Sequence, residues 1–128
     1  MNISRGFLVS GAIFGFLSVA FGAFGAHALK TLLSPYSLDV FQKAVHYQGS
    51  HALALLLTGL LLQQHPLPSL RWAGGFFIAG ILLFSGSLYL LAMTDIRILG
   101  AITPVGGLSF LTGWLFLAVG CWKMEPPK

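Results

Sequence analysis

The sequence predicts an all-α integral membrane protein, a four-helix bundle threaded up-down-up-down with a short interfacial helix before the second span. Three observations carry that prediction. Residues 6–29, 44–70, 72–94 and 98–122 each contain no Lys, Arg, Asp or Glu. Each run exceeds the ~20 apolar residues that cross a hydrocarbon layer of about 30 Å. The chain as a whole is 56% hydrophobic and 8% charged, with a mean hydropathy of +0.86, too little polar surface to cover a soluble globule.

The first span is expected at residues 7–26. Gly11, Gly15, Ser18, Gly22 and Ala26 keep a small-residue spacing along it, so that another helix can approach closely. Arg5 followed by an apolar run ending in Ala26-His27-Ala28 imitates a secretory signal. The run is longer than an ordinary signal core and is Gly-rich, so a retained span is expected.

Residues 31–42 form the longest connection and carry helix-start signals: Ser34 as N-cap with Pro35 at the first helical position, or Ser37 as the cap instead. Phe41, Ala44, Val45 and Gln48 give an apolar side that lies at the interface and feeds into a second span at 45–62. Pro66 and Pro68 stop that helix. The third span, 72–93, opens on the interfacial ring of Trp72 and offers Gly75, Ala79 and Gly86 as a second close-approach face. The fourth, 103–122, begins with Thr103 as N-cap and Pro104 as first residue, or else starts at Ile98 with Pro104 as a kink. Gly106, Ser109, Gly113 and Gly120 fall on one stripe of it. The tail 124–128 carries two prolines and is expected to fray. All of this makes one domain, 1–128, with no room for a separate soluble unit.

Arg5, Lys30, Lys43, Arg71, Arg97, Lys123 and Lys128 are scattered as flanking anchors, which argues against a nucleic-acid partner despite the formal charge of +4. With an even number of spans, four cations lie on the side of the termini and three on the other. The positive-inside bias therefore places both termini in the cytoplasm. Cys121 is the only cysteine, so no internal disulfide forms.

The polar residues that are costly in lipid gather on one side. His27 ends span one; His46, Tyr47, Gln48, Ser50 and His51 open span two; Ser85, Ser87 and Tyr89 lie late in span three; Thr103 opens span four. Alternating span directions brings them to the non-cytoplasmic half. Such residues face a bundle interior or a wet cavity and mark pathways or binding sites. Tyr47 and His51, four apart, share a helix face. Three readings stand. The groups are interhelical glue worth about 0.6 kcal/mol per bond; or they line a pocket for a lipid or other small molecule, formed by His27, Tyr47, Gln48, His51, Ser85, Ser87 and Tyr89; or two of His27, His46 and His51 hold a haem or metal. No cofactor is predicted, because no Cys or carboxylate accompanies the histidines at ligand spacing. Asp39, Asp95 and Glu125, the only carboxylates, sit in connections or the tail, so neither a Ser-His-acid triad nor a proton relay has support.

At these same residues the chain resembles a known family. The blocks Gly22-Ala23-Phe24-Gly25-Ala26-His27-Ala28-Leu29, Tyr47-Gln48-Gly49-Ser50-His51-Ala52-Leu53-Ala54-Leu55, Phe84-Ser85-Gly86-Ser87-Leu88-Tyr89 and Ile102-Thr103-Pro104-Val105-Gly106-Gly107, followed by Gly113-Trp114, are similar to the signatures of the DUF423 family. That family comprises small multi-pass membrane proteins, bacterial members and the eukaryotic transmembrane protein 256 among them. The resemblance implies a four-span protein of the bacterial inner membrane or its counterpart, and no reaction. Partners are expected to be the lipid bilayer, a lipid or small-molecule ligand, and a second copy or another membrane protein.

Overall fold

The computed structural model describes residues 2–126, and every described element is helical. Helix α1 spans Ile3–His27, α2 Pro35–Gln64, α3 Pro68–Gly80, α4 Gly86–Thr94 and α5 Thr103–Lys123. A π-helical turn, Ile81–Ser85, joins α3 to α4 as one rod, and a 3₁₀ turn, Arg97–Ala101, precedes α5. Of the tail expected to fray, Pro127 and Lys128 lie outside the described residues.

The helix starts follow local chemistry. Asn2 caps α1 by accepting from the Arg5 amide at 2.8 Å. Ser34 caps α2, accepting from the Ser37 amide at 3.1 Å with Pro35 in the first turn, so the choice between Ser34 and Ser37 falls to Ser34. At 30 residues α2 is ~45 Å long, well beyond the ~30 Å hydrocarbon layer. Its opening turns, with the exposed Asp39–Lys43 ion pair at 3.1 Å, form the interfacial segment that runs without a break into the bundle. Pro104 lies in the first turn of α5 and does not kink it. Thr103 is not the cap expected of it: it is already helical, and its hydroxyl pairs with Ser87 instead.

Three segments, Ile3–His27, Pro68–Thr94 and Arg97–Lys123, are long and apolar enough to cross a membrane by length and composition. The helix α2 is not among them, because His46, Tyr47, Gln48, Ser50 and His51 dilute its apolar content. The two most extensively packed pairs, α1 with α2 and α3 with α5, are antiparallel. Gly11 meets Ala52 and Leu56, Gly25 meets Phe41, and Gly59 meets Leu8, which fixes α1 against α2. Gly80 meets Phe110, Gly113 meets Phe77, and Gly120 meets Leu70, which fixes α3 against α5. The long α2 and the α3–π–α4 rod form the centre, with α1 and α5 on its flanks.

Two apolar clusters fill the interior. One gathers Phe7, Leu55, Leu62, Leu70, Phe77 and Leu117; the other gathers Leu29, Val40, Phe41, Ala44, Leu88 and Leu91. Gln48 and His51 fall on α2 between the stretches that feed these clusters, so the polar residues form a layer sandwiched between two greasy ones. Large apolar side chains such as Phe16, Val19, Leu108 and Leu115 stay exposed on the flanking helices, as a surface bathed in acyl chains requires.

The glycines divide sharply. The α5 stripe behaves as its spacing predicts: a Cβ at Gly106, Gly113 or Gly120 would press on Phe84, Phe77 or Leu70 at 2.3, 2.8 and 2.5 Å. The face expected on the third span does not form. Gly75 and Gly86 have nothing within 4 Å of a built Cβ, and the close approaches there are made by Gly74 and Gly80. The reason for Gly75 is the rotation of α3, whose buried side is set by Ala73, Gly74, Phe77 and Gly80; Gly86, beyond the π turn, is shifted in phase by roughly 100° relative to an α-helical count.

Candidate functional site

Side-chain hydrogen bonds tie α2 to α1, to the π turn, to α4 and to α5, and tie α5 to α3 and α4. Gln48, 3% exposed, donates through Nε2 to the Phe14 carbonyl of α1 at 2.9 Å and accepts at Oε1 from the Tyr89 hydroxyl of α4 at 2.6 Å. The Tyr89 ring is wedged edge-on between Phe21 and Phe41, with centroids 5.2 and 5.1 Å away. Ser85, fully buried in the π turn, donates to the Ala44 carbonyl at 2.8 Å. Ser87 donates to the Phe84 carbonyl and shares a 2.7 Å hydrogen bond with Thr103. Ser109 of α5 donates to the Phe76 carbonyl at 2.7 Å. Helix carbonyls keep a second lone pair after their intrahelical bond, which is what these side chains use.

His51, 6% exposed, is the centre of a separate arrangement. Its Nδ1 lies 2.8 Å from the Tyr47 carbonyl, and the Trp114 indole N–H donates to its Nε2 at 3.0 Å. An indole nitrogen can only donate, so Nε2 carries a lone pair and the proton sits on Nδ1, where it bonds the Tyr47 carbonyl. The imidazole is thereby held neutral in one tautomer. Its face stacks on Phe110 with centroids 3.6 Å apart and 15° between planes, and Phe77 and Trp114 flank it at 5.8 Å.

Beside this imidazole runs a groove of about 610 Å³ between α2, the π turn and α5. Tyr47, His51, Phe84, Gly107, Phe110 and Trp114 form its walls. The Tyr47 ring is 41% exposed at its mouth and tilts against Phe84 at 4.7 Å. The lining is aromatic and aliphatic, so it is an apolar slot with few polar atoms, unlike the polar pocket expected from the sequence.

The seven residues singled out in the sequence thus part company. Tyr47 and His51 line the groove. Gln48, Ser85, Ser87 and Tyr89 are engaged between helices. His27 lies exposed at the end of α1, and its side chain makes no hydrogen bond among the described residues. His46 is also exposed, edge-on to Tyr47 at 5.5 Å. Nor do the described residues hold any group of three or more His, Cys, Asp or Glu placed to take a metal ion. Of the three histidines of the haem or metal reading, His51 has its Nε2 bonded by Trp114, while His27 and His46 are exposed. Sequence reasoning passed over Phe110 and Trp114 as site residues. The signal was their i, i+4 spacing, which puts two aromatics on one face of α5.

Fold and site together define a small helical membrane protein with a polar layer inside and an aromatic groove at its surface. The chain belongs to the DUF423 family: residues 21–107 match the family described as "Protein of unknown function (DUF423)". It is 47% identical over 117 residues to a UPF0382 membrane protein of Staphylococcus haemolyticus, covering 91% of this chain and 95% of that one. It is 40% identical over 122 residues to the UPF0382 inner membrane protein YgdD of Escherichia coli strain K12, covering 95% and 93%. No solved structure matches. The protein is therefore an integral membrane protein of the cell's inner membrane, with the lipid bilayer as its surroundings.

Proposed function

We propose that this protein is a membrane-embedded binding module whose groove at His51 takes a flat or elongated, largely apolar small molecule from the surrounding lipid. All four long helices cross in this reading, over about residues 7–26, 45–62, 72–93 and 103–122, with both termini in the cytoplasm. The helix α2 tolerates its polar residues because α1 and the α3–π–α4 rod surround it in place of acyl chains. The observation that carries the proposal is the groove itself. Its volume falls within the ~300–1,000 Å³ range of small-molecule sites, and its walls are rings around one oriented imidazole. The imidazole and indole nitrogens are already engaged with each other and with the backbone, so recognition would rest on ring faces and on the Tyr47 hydroxyl.

A second reading has its own support. The hydrogen bonds of Gln48, Ser85, Ser87 and Ser109 suit a purely structural or accessory subunit of a membrane assembly equally well. One substitution separates the two. A Cβ at Gly107 would meet only ring atoms of Phe84, at 3.9 and 4.0 Å, so Gly107→Leu fills the groove without disturbing the bundle. Protein extracted from native membranes in mild detergent is expected to carry a small molecule detectable by native mass spectrometry. Gly107→Leu is expected to lose it while leaving the protein no less stable, with a helix-propensity gain of up to ~1 kcal/mol. Retention of the molecule by the variant, or wild-type protein carrying nothing but bulk phospholipid, would leave the structural reading.

A further inference from the structure

We infer that the opposite end of the molecule holds an anionic phospholipid, its phosphate at Arg71 and one acyl chain laid along α3. The observation begins with two adjacent glycines. Gly74 is required inside the protein, because a Cβ there would fall 2.1 Å from the Phe7 ring. Gly75 is exposed and would meet nothing, and alanine in its place would favour the helix by ~1 kcal/mol. Internal packing therefore gives no reason for the missing side chain at Gly75. What it creates is external: a trough of about 410 Å³ lined by Ile3, Pro68, Arg71, Trp72 and Gly75. A second trough, of about 260 Å³, shares Trp72 and Gly75 with the first and reaches Ala79. Positions 71, 75 and 79 recur at four-residue steps, so the depression runs along one face of α3, inward from the membrane surface.

Its walls and mouth suit a phospholipid. Trp72, Phe76 and Phe116 stack into a ridge along one side, with Phe76 and Phe116 centroids 5.6 Å apart and 9° between planes. Trp72 stands where interfacial tryptophans stand, at headgroup level. Arg71, at the mouth, forms no ion pair among the described residues, whereas Lys43 and Arg97 on the other face each have one. This membrane face carries Arg5, Arg71 and Lys123 against the single carboxylate Glu125 among the described residues. A guanidinium presents a planar fork to a phosphate, and a basic face attracts anionic headgroups. A second copy of the chain is the rival occupant, since Gly75 and Ala79 have the spacing of close helix pairs. A two-fold contact centred on Gly75 would bring the two Arg71 side chains together, which disfavours it.

The test titrates detergent-purified protein with dioleoyl phosphatidylglycerol and, separately, dioleoyl phosphatidylcholine, counting bound lipid by native mass spectrometry. One phosphatidylglycerol is expected to bind more tightly than phosphatidylcholine. Arg71→Gln is expected to raise its Kd about five-fold. Arg5→Gln and Lys123→Gln, which remove the same charge elsewhere on this face, are expected to shift it by less than about two-fold. Gly75→Leu should weaken both lipids alike, and Ala79→Leu, a second filling variant, should do the same if the first folds poorly. Equal effects of the three charge variants would reduce the site to general attraction by a basic face and overturn the inference. So would unchanged binding in the filled variants, or a wild-type dimer that Gly75→Leu splits.

Discussion

Replacing Gly106 with alanine is expected to destabilise the protein by about 3 kcal/mol or more, the largest effect of any single methyl group in the bundle. The added Cβ would lie 2.3 Å from the backbone nitrogen of Phe84 and 2.7 Å from its Cα and Cβ. At Gly74 or Gly80 the obstructing atoms belong to the side chains of Phe7 and Phe110, which can adjust by more than a main chain can. At Gly106 the obstruction is main chain inside the π turn, so α5 itself must move. That movement also pulls on the Ser87–Thr103 and Ser109–Phe76 bonds on either side of the contact. Gly86→Ala, on the same rod but facing open space, is expected to be neutral or stabilising by up to ~1 kcal/mol. Unfolding in mixed detergent, followed by helical circular dichroism, measures both. Equal stability of the two variants would mean that α5 does not touch the π turn at Gly106.

The contrast between these two glycines also shows what a single sequence can and cannot disclose. Gly106, Gly113 and Gly120 lie seven apart on a helix with no break in its winding, so their common face could be read directly. Gly75, Ala79 and Gly86 look equally regular, but Gly75 lies on the outer side of α3, and the π turn between Ala79 and Gly86 changes the phase with no residue in Ile81–Ser85 to announce it. The gathering of polar groups in one layer was legible because alternating helix directions follow from chain length and lipid thickness alone. Their pairings were not. Whether Gln48 meets Tyr89 or Ser85 depends on rotation of each helix about its axis, which is set by side chains on partners distant in sequence. His27 illustrates the same gap: it ends the first helix, yet its side chain is exposed. Trp114 illustrates the reverse, a residue named in the sequence only among the family blocks that reaches across to His51.

Gln48→Leu is the second large effect expected, at about 2 kcal/mol. The change keeps the side chain's bulk but removes two interhelical bonds, worth on average about 0.6 kcal/mol each in membrane bundles. It also strands the Tyr89 hydroxyl between two apolar clusters with no partner, at a further cost of roughly 1 kcal/mol or more. Tyr89→Phe alone strands the Gln48 carbonyl oxygen and is expected to cost about 1 kcal/mol. If the two groups serve each other, the double variant should lose clearly less than the sum of the single changes, with a coupling of about 1 kcal/mol. Additive losses would mean that Tyr89 and Gln48 each bond something else, and a Tyr89→Phe protein of unchanged stability that releases a bound molecule would return Tyr89 to a ligand site. The expected pattern assigns these residues to holding α1, α2 and α4 together. It leaves the groove beside His51, two α2 turns from the nearest charged residue Lys43, as the place where Gly107→Leu must act if this protein binds a small molecule there.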